Sequence, residues 1–206
     1  MTATAAFPPL FKILVDGKSS HGGELTWSLP TQRDSEWKPG EWHSVEGDIQ
    51  LCFNGLHVTD KPAGWWKQGA TAYFVECDGD YQSGLDEDES KIAFRRVRLL
   101  RPATDNELFA LNVFLTGAHR VEKGFFIASG SATVQASGSA TVRAYGSATV
   151  EAYGSATVEA YDSATALISE HWSTNVKVNV KGAMACVIDR RSGKPVLIVE
   201  TEMETK

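Results

Sequence analysis

GSATVEAYGSATVEAYDSAT, residues 146–165, repeats itself every eight positions, and that period decides the fold. Eight is even, so a β-strand, whose side chains alternate with period two, keeps the same residues on the same face from one unit to the next. From Gly130 to Ala160 the even positions read Gly130, Ala132, Val134, Ala136, then Gly138, Ala140, Val142, Ala144, all small and apolar. The odd positions carry Ser131, Thr133, Gln135 and Ser137, then Ser139, Thr141, Arg143 and Tyr145, a wettable surface. A helix does not fit: eight residues do not close a 3.6-residue period, and Gly with β-branched Thr and Val recurs in each unit. One unit cannot bury its own apolar face, so neighbours must stack on it, which predicts a β-solenoid of octapeptide repeats.

Three assemblies are compatible with an eight-residue side. Sixteen residues per coil make a flat, thin solenoid that sets Arg143 beside Glu159 and Tyr145 beside Tyr161. Twenty-four make a triangular coil whose wider interior Ala and Val fill poorly, with Gln135 against Glu159. A trimer in which each chain supplies one face of a β-prism is the third. The sixteen-residue coil is preferred because it pairs opposite charges. Beyond Tyr161 the octad decays, but Val176, Val178, Val180, Met184, Cys186 and Ile188 stay on even positions, which predicts a solenoid running to about residue 190. A turn over 190–195 and a last strand, VLIVE (196–200), are expected to cap one end against further stacking, and Phe125 and Phe126 to plug the other.

The chain ahead of the repeats has a different composition. Of six tryptophans, Trp27, Trp37, Trp42, Trp65 and Trp66 all precede residue 70. FKILV (11–15), IQLCF (49–53), TAYFVEC (71–77) and KIAFRRVRLL (91–100) read as strands, the last two as a pair joined by an acidic connection. Residues 28–47 read as a loop anchored by Trp37 and Trp42, Thr59–Pro62 as the cap of a short helix carrying Trp65 and Trp66, and Thr104–Glu107 as a capping box opening a helix near 105–116. The expected architecture is mainly β: a small α+β, Trp-rich head (1–118) followed by the solenoid with its capping strand (119–206).

Composition bounds function. The 206 residues carry a formal charge of −6, which argues against nucleic acid as a partner. Three cysteines, Cys52, Cys77 and Cys186, are an odd number without metal-finger spacing, consistent with reduced, buried thiols and a cytoplasmic, host-cytosol setting. The N-terminus lacks signal-peptide character, and no segment approaches the ~20 apolar residues of a membrane span. GxSxG, HExxH, P-loop and GxGxxG motifs do not occur.

Several constellations are candidates for chemistry. The Ser-x-Thr pairs of the odd face form a hydroxyl ladder of the kind that orders water, although Arg, Glu and Tyr interrupt it. Asp78, Asp80, Asp86 and Glu89 stand at the first, third, ninth and twelfth places of a calcium-loop-like stretch, but the glycine is one place late and the flanks read as strands. Cys52, His57 and Cys77 are too scattered to define zinc. His21 and His57, each beside glycines, together with Trp42, Trp65 and Trp66, can line a pocket for a flat ligand such as a nucleobase or nicotinamide. No cofactor is expected.

The segments WKPGEWHSVEG (37–47), LCFNGLHVTDKPAGWW (51–66), YFVECDGD (73–80) and KIAFRRVRLLRP (91–102) resemble an uncharacterised domain of phage and bacterial proteins, often followed by Ala-Thr-Val-rich repeats. The resemblance covers roughly residues 10–102. It implies a mobile-element context, with virion association as an alternative to the cytosol, and no catalytic residues.

The leading functional expectation is a non-enzymatic structural or binding protein. Its solenoid spaces or oligomerises a recognition head, and the chain forms a homo-oligomer held through Val142, Val150 and Val158. A counter-defence protein that sequesters a nucleotide signal or blocks a host enzyme is the alternative, with a small nucleotide or a host or phage protein as partner. An ADP-ribosyl transferase-like enzyme is third, and would draw on His57, Tyr73 and Glu76.

Overall fold

A computed structural model describes residues 7–85, 90–168, 175–182, 184–193 and 195–199. The chain is mainly β and divides into two compact units, Met1–Thr104 and Asp105–Lys206, so the division falls ahead of the predicted helix rather than behind it.

The first unit is a strongly bent sheet. Strand β1 (Phe11–Val15) reverses at Asp16 and Gly17, both at positive φ, into β2 (Lys18–Ser19). The stretch read as loop contains a small hairpin, β3 (Thr31–Arg33) with β4 (Glu36–Lys38), and then β5 (His43–Ser44). After β6 (Leu56–Val58) a single 3-10 turn, Pro62–Trp65, replaces the expected helix; its N-cap is Lys61, and Thr59 Oγ1 accepts the Lys61 N–H instead of capping. The long strands β7 (Thr71–Leu85) and β8 (Ser90–Pro102) pair antiparallel as expected, their register slipping at Phe74/Val75 and Asp78/Tyr81.

The sheet order is β2-β1-β7-β8-β5, with β6 also on β8. Backbone bonds between Phe11 and Thr59 (2.7 and 2.9 Å) tie the end of β6 back to β1, so the sheet closes on itself. Its interior holds Leu10, Leu14, Trp27, Val58, Val97 and Leu99. IQLCF is not a strand: Gln50 and Asn54 bridge each other, and Cys52 sits between them at φ 71°, an exposed residue in a tight turn and so not the buried thiol expected there.

The second unit opens with helix α1 (Asp105–Ala110), which is shorter than expected because Asn112 turns to φ 64° and the chain enters β9 (Val113–Phe114). The remaining strands, β10 (Ala118–Ala128), β11 (Thr133–Ala144), β12 (Thr149–Ala152), β13 (Thr157–Ala160), β14 (Thr165–Ile168), β15 (Lys177–Val180) and β16 (Cys186–Asp189), wind a parallel β-solenoid of about four turns. Residues 133–136 pair with 149–152, and 141–144 with 157–160, so a coil takes sixteen residues and successive octads lie in opposite sheets. Both sheets come from one chain, which therefore encloses its own core without the trimer. The inward alanines and valines of the octads, Ala132 through Ala160, are 0% exposed. Side chains this small fill a thin interior completely, and a close-packed interior is what makes the stack stiff.

The odd face behaves as a ladder. Arg143 donates to Glu159 at 2.7 Å, Gln135 donates to Glu151 at 2.9 Å, and Tyr145 stacks on Tyr161 at 4.8 Å between centroids. Ser131, Ser147, Ser155 and Ser163 lie in the turns, while Ser137 and Ser139 fall within β11: Ser147 Oγ donates to Gly130 O and Ser163 Oγ to Gly146 O, each 2.7 Å, clipping one coil to the one before. The hydroxyl ranks in register from coil to coil are those of the threonines, Thr133–Thr149–Thr165 and Thr141–Thr157, too narrow for a lattice of hydroxyls.

Past Tyr161 the expected parity holds only in part. Strand β15 pairs with β13 at an even offset (Thr157 with Lys177), so Val176 is buried and Val178 and Val180 pack on the core. Strand β16 pairs with β14 at an odd offset (Thr165 with Cys186), which reverses the faces. Ala185 and Val187 point inward, Cys186 and Ile188 are half-buried, and Met184 is 76% exposed. The last strand, β17 (Val196–Val199), runs antiparallel on β16, unlike the parallel pairings of the coils. At the other end Phe126 packs on the core beside Phe114, while Phe125 lies outside under Arg143.

Candidate functional site

In the first unit, β1 exchanges one edge partner for another: β2 pairs with Leu14 and Val15, and Thr59 pairs with Phe11. Between these two partners the sheet is open, and there lies a pocket of about 90 Å³ whose lining includes Lys12, Ser20, His21, His57, Trp65 and Lys91. Three of the five residues named from the sequence as ligand-binding, His21, His57 and Trp65, thus converge. Trp66 is buried (3% exposed) and outside the lining, and Trp42 lies elsewhere, under the guanidinium groups of Arg96 (4.7 Å) and Arg98 (4.8 Å).

Each wall has a structural origin. Trp65 ends the 3-10 turn and is held by its Nε1–H donating to Ser90 O (3.1 Å) and by Ser20 Oγ donating to its carbonyl (3.1 Å). His21 meets Trp65 edge-on, 4.8 Å between centroids, with Ser20 Oγ 3.0 Å from its Nδ1. Beside the pocket Thr59 and Ser90 exchange a buried hydroxyl hydrogen bond (3.1 Å), and Ser90 Oγ also donates to Asp60. His57 Nε2 accepts the Cys52 N–H at 3.1 Å, which leaves the ring proton on Nδ1 of a neutral imidazole. Burial, then the charges of Lys91 and Lys12, pushes His57 down to about 4, so the ring is uncharged at neutral pH.

Two lysines were not singled out by sequence reasoning. Lys12 is only 7% exposed; its Nζ donates to His57 O (2.9 Å) and lies 5.0 Å from the Trp27 ring centroid. Burial, with Lys91 adding repulsion, lowers its pKa to about 8. Lys91 Nζ lies 5.3 Å from the Trp65 centroid and 3.4 Å from Cys52 Sγ. The available signal was a cation in the middle of FKILV, a position where an amphipathic strand would carry an apolar residue or face water.

The other candidate residues are separate from this pocket. Tyr73 packs against the head core and Glu76 pairs with Arg98 at 2.5 Å, so His57, Tyr73 and Glu76 form no shared site. Asp78 and Asp80 are bound to Arg96 (2.7 Å) and Arg95 (3.0 Å), and Asp86 and Glu89 lie outside the described residues. Among the described residues no three His, Cys, Asp or Glu are grouped to hold a metal, and Cys77 is in the head core away from Cys52 and His57. Val142, Val150 and Val158 are fully enclosed within one chain, where they support the coil itself. No helix among the described residues is long and apolar enough to cross a membrane.

No curated protein and no solved structure matches the chain. A family model described as a domain of unknown function, DUF7666, matches residues 25–111, a span that holds His57, Trp65 and Lys91 of the pocket and stops short of the solenoid.

Proposed function

We propose that the protein is a non-enzymatic binding protein in which a stiff solenoid displays or assembles a recognition head. The observation that carries this reading is the convergence of His21, His57 and Trp65 on one pocket, while Glu76, Asp78 and Asp80 are engaged in ion pairs and Tyr73 and Cys77 in core packing. The solenoid interior is filled by Ala and Val, leaving that unit to geometry rather than chemistry. Assembly into a homo-oligomer belongs to the proposal and is supported by apolar side chains exposed at the last course, Met184 (76%), Leu197 (64%) and Val196 (49%). The mobile-element setting implied by the resemblance belongs to it as well: a phage-encoded receptor that removes a small signal from its host needs a pocket and no catalyst.

Native mass spectrometry of the gently purified full-length protein tests the reading. Retained small-molecule mass or a defined oligomer is expected. A bare monomer that picks up no small molecule from a metabolite extract refutes it.

A further inference from the structure

The pocket lining contains two lysines and two histidines and no carboxylate, in a chain whose formal charge is −6. Among the described residues neither Lys12 nor Lys91 forms an ion pair with an acid. Acids are available on the same sheet, yet Glu76, Asp78 and Asp80 are each paired with arginines of β8 instead. A buried ammonium without a counter-ion destabilises a fold, and one hydrogen bond to a carbonyl uses one of its three donors. Such a group is retained where something from outside supplies the missing charge.

Size and shape narrow the ligand further. About 90 Å³ is far below the 300–1,000 Å³ usual for drug-sized ligands, which admits a single ring and not a dinucleotide. Phe11, His21 and Trp65 give the pocket aromatic walls, and Ser20 and Thr59 place hydroxyls in its lining.

Resting on the receptor reading above, we infer that the pocket takes a small planar anion, a single ring bearing a carboxylate or phosphate, with the ring in the His21–Trp65 wall and the negative charge between Lys12 and Lys91. The ligand is then the counter-ion that the described residues do not supply. Lys12, protonated while its pKa stays near 8, is poised to gain from a neighbouring negative charge, and neutral His57 adds no competing cation.

The test compares single-ring pairs that differ in charge: nicotinate against nicotinamide, and phenyl phosphate against phenol, titrated into the full-length protein at pH 7 and followed by tryptophan fluorescence and calorimetry. An anion preferred tenfold or more over its neutral partner is expected. Preference in the first pair alone identifies a carboxylate, in the second alone a phosphate, and in both a general anion site. Lys12→Met is expected to lose at least tenfold in anion affinity while its melting temperature stays level or rises, because a buried unpaired charge has been removed. Lys91→Gln, a change at a more exposed position, is expected to weaken the anion with the fold intact. Equal binding of the charged and neutral partners overturns the anion and leaves a receptor for flat neutral rings. Binding by none of the four at millimolar concentration overturns the planar-anion site, whereas the receptor reading itself falls only if the protein also retains nothing from the metabolite extract. A Lys12→Met variant that melts earlier yet binds nicotinate normally shows that the amine is a structural donor to His57 O and overturns the assignment.

Discussion

Gly138 and Gly154 occupy the same place in successive coils, at φ 55° and 60°, and alanine at the two positions should have different consequences. The left-handed conformation costs an L-residue about 1–2 kcal/mol at either site. The neighbours differ. A Cβ at Gly154 meets the Gly138 nitrogen at 3.5 Å, an ordinary contact, whereas a Cβ at Gly138 meets the Glu122 carbonyl oxygen at 2.5 Å. Glu122 lies in the bulge between Val121 and Lys123, where the first course has no glycine corner of its own, and its carbonyl fills the space under the next coil. Relieving that overlap requires backbone movement, worth about 1–3 kcal/mol in addition. Gly154→Ala is therefore expected to cost about 1–2 kcal/mol and Gly138→Ala about 2–5 kcal/mol. With a urea m-value of about 1–3 kcal/mol/M, the second variant's midpoint falls roughly 1 M below the first in the solenoid transition followed by far-ultraviolet circular dichroism. Equal midpoints refute the reasoning, since both substitutions carry the same φ and differ only in the carbonyl beneath.

Arg143→Ala removes the 2.7 Å bond to Glu159 and the cation over Phe125, both partly exposed, and is expected to lower solenoid stability by about 1 kcal/mol in the same assay. Burial raises the Glu159 pKa, but the hydrogen bond and charge of Arg143, with Lys181, outweigh it and hold the carboxyl below its usual value. Its contribution is thus present above about pH 4.5 and lost as pH falls further, and Glu159→Gln should flatten that acid limb of a melting series. For His57 the sign is that of a base with a depressed pKa. The unfolded ring takes a proton below about 6.5 and the folded one only near 4, so head stability should fall between those values in wild type and fall less in His57→Gln, where His43, also lowered by burial, still contributes, read from tryptophan fluorescence melts at pH 7 and pH 5. Nicotinate affinity should decline as pH rises through about 8, where unliganded Lys12 loses its proton, and Lys12→Met should lack that step. The groups facing Lys12 are Lys91, His21, His57 and Tyr73; His57 is already neutral in that range, and burial raises Tyr73 above its ordinary value.

The solenoid was legible because its signal is local and redundant: an even period, small residues on one parity, and charges that pair at sixteen residues but not at twenty-four. Parity ceased to inform at Met184, Cys186 and Ile188 because strand pairing there is set by the length of the intervening turn, and the odd offset between β14 and β16 reverses the faces. IQLCF has strand composition, yet the bridge between Gln50 and Asn54 makes it a turn, and periodicity over five residues does not distinguish the two. In the head, His21, His57 and Trp65 stood out as rings beside glycines or a proline-led turn, and they do meet. Lys12 and Lys91 did not stand out, because what joins β1, the 56–59 segment and the start of β8 is a closure between Phe11 and Thr59, residues forty-eight positions apart. The pocket is a product of topology, and the residues that give it charge are ordinary until the sheet closes.

The mismatch between an eight-residue repeat and a sixteen-residue coil gives the solenoid a constraint on how it can change length. Duplication of two octads adds one full course, about 4.8 Å of height, and everything beyond it keeps its heading. Gain or loss of one octad shifts every later strand to the opposite sheet, so β17 and whatever it faces emerge from the reverse side. The array therefore works as a ruler in paired steps and as a half-turn switch in single ones. An in-frame slip of twenty-four nucleotides in its coding sequence is enough to turn one end of the molecule around without altering a single buried side chain's neighbours in kind.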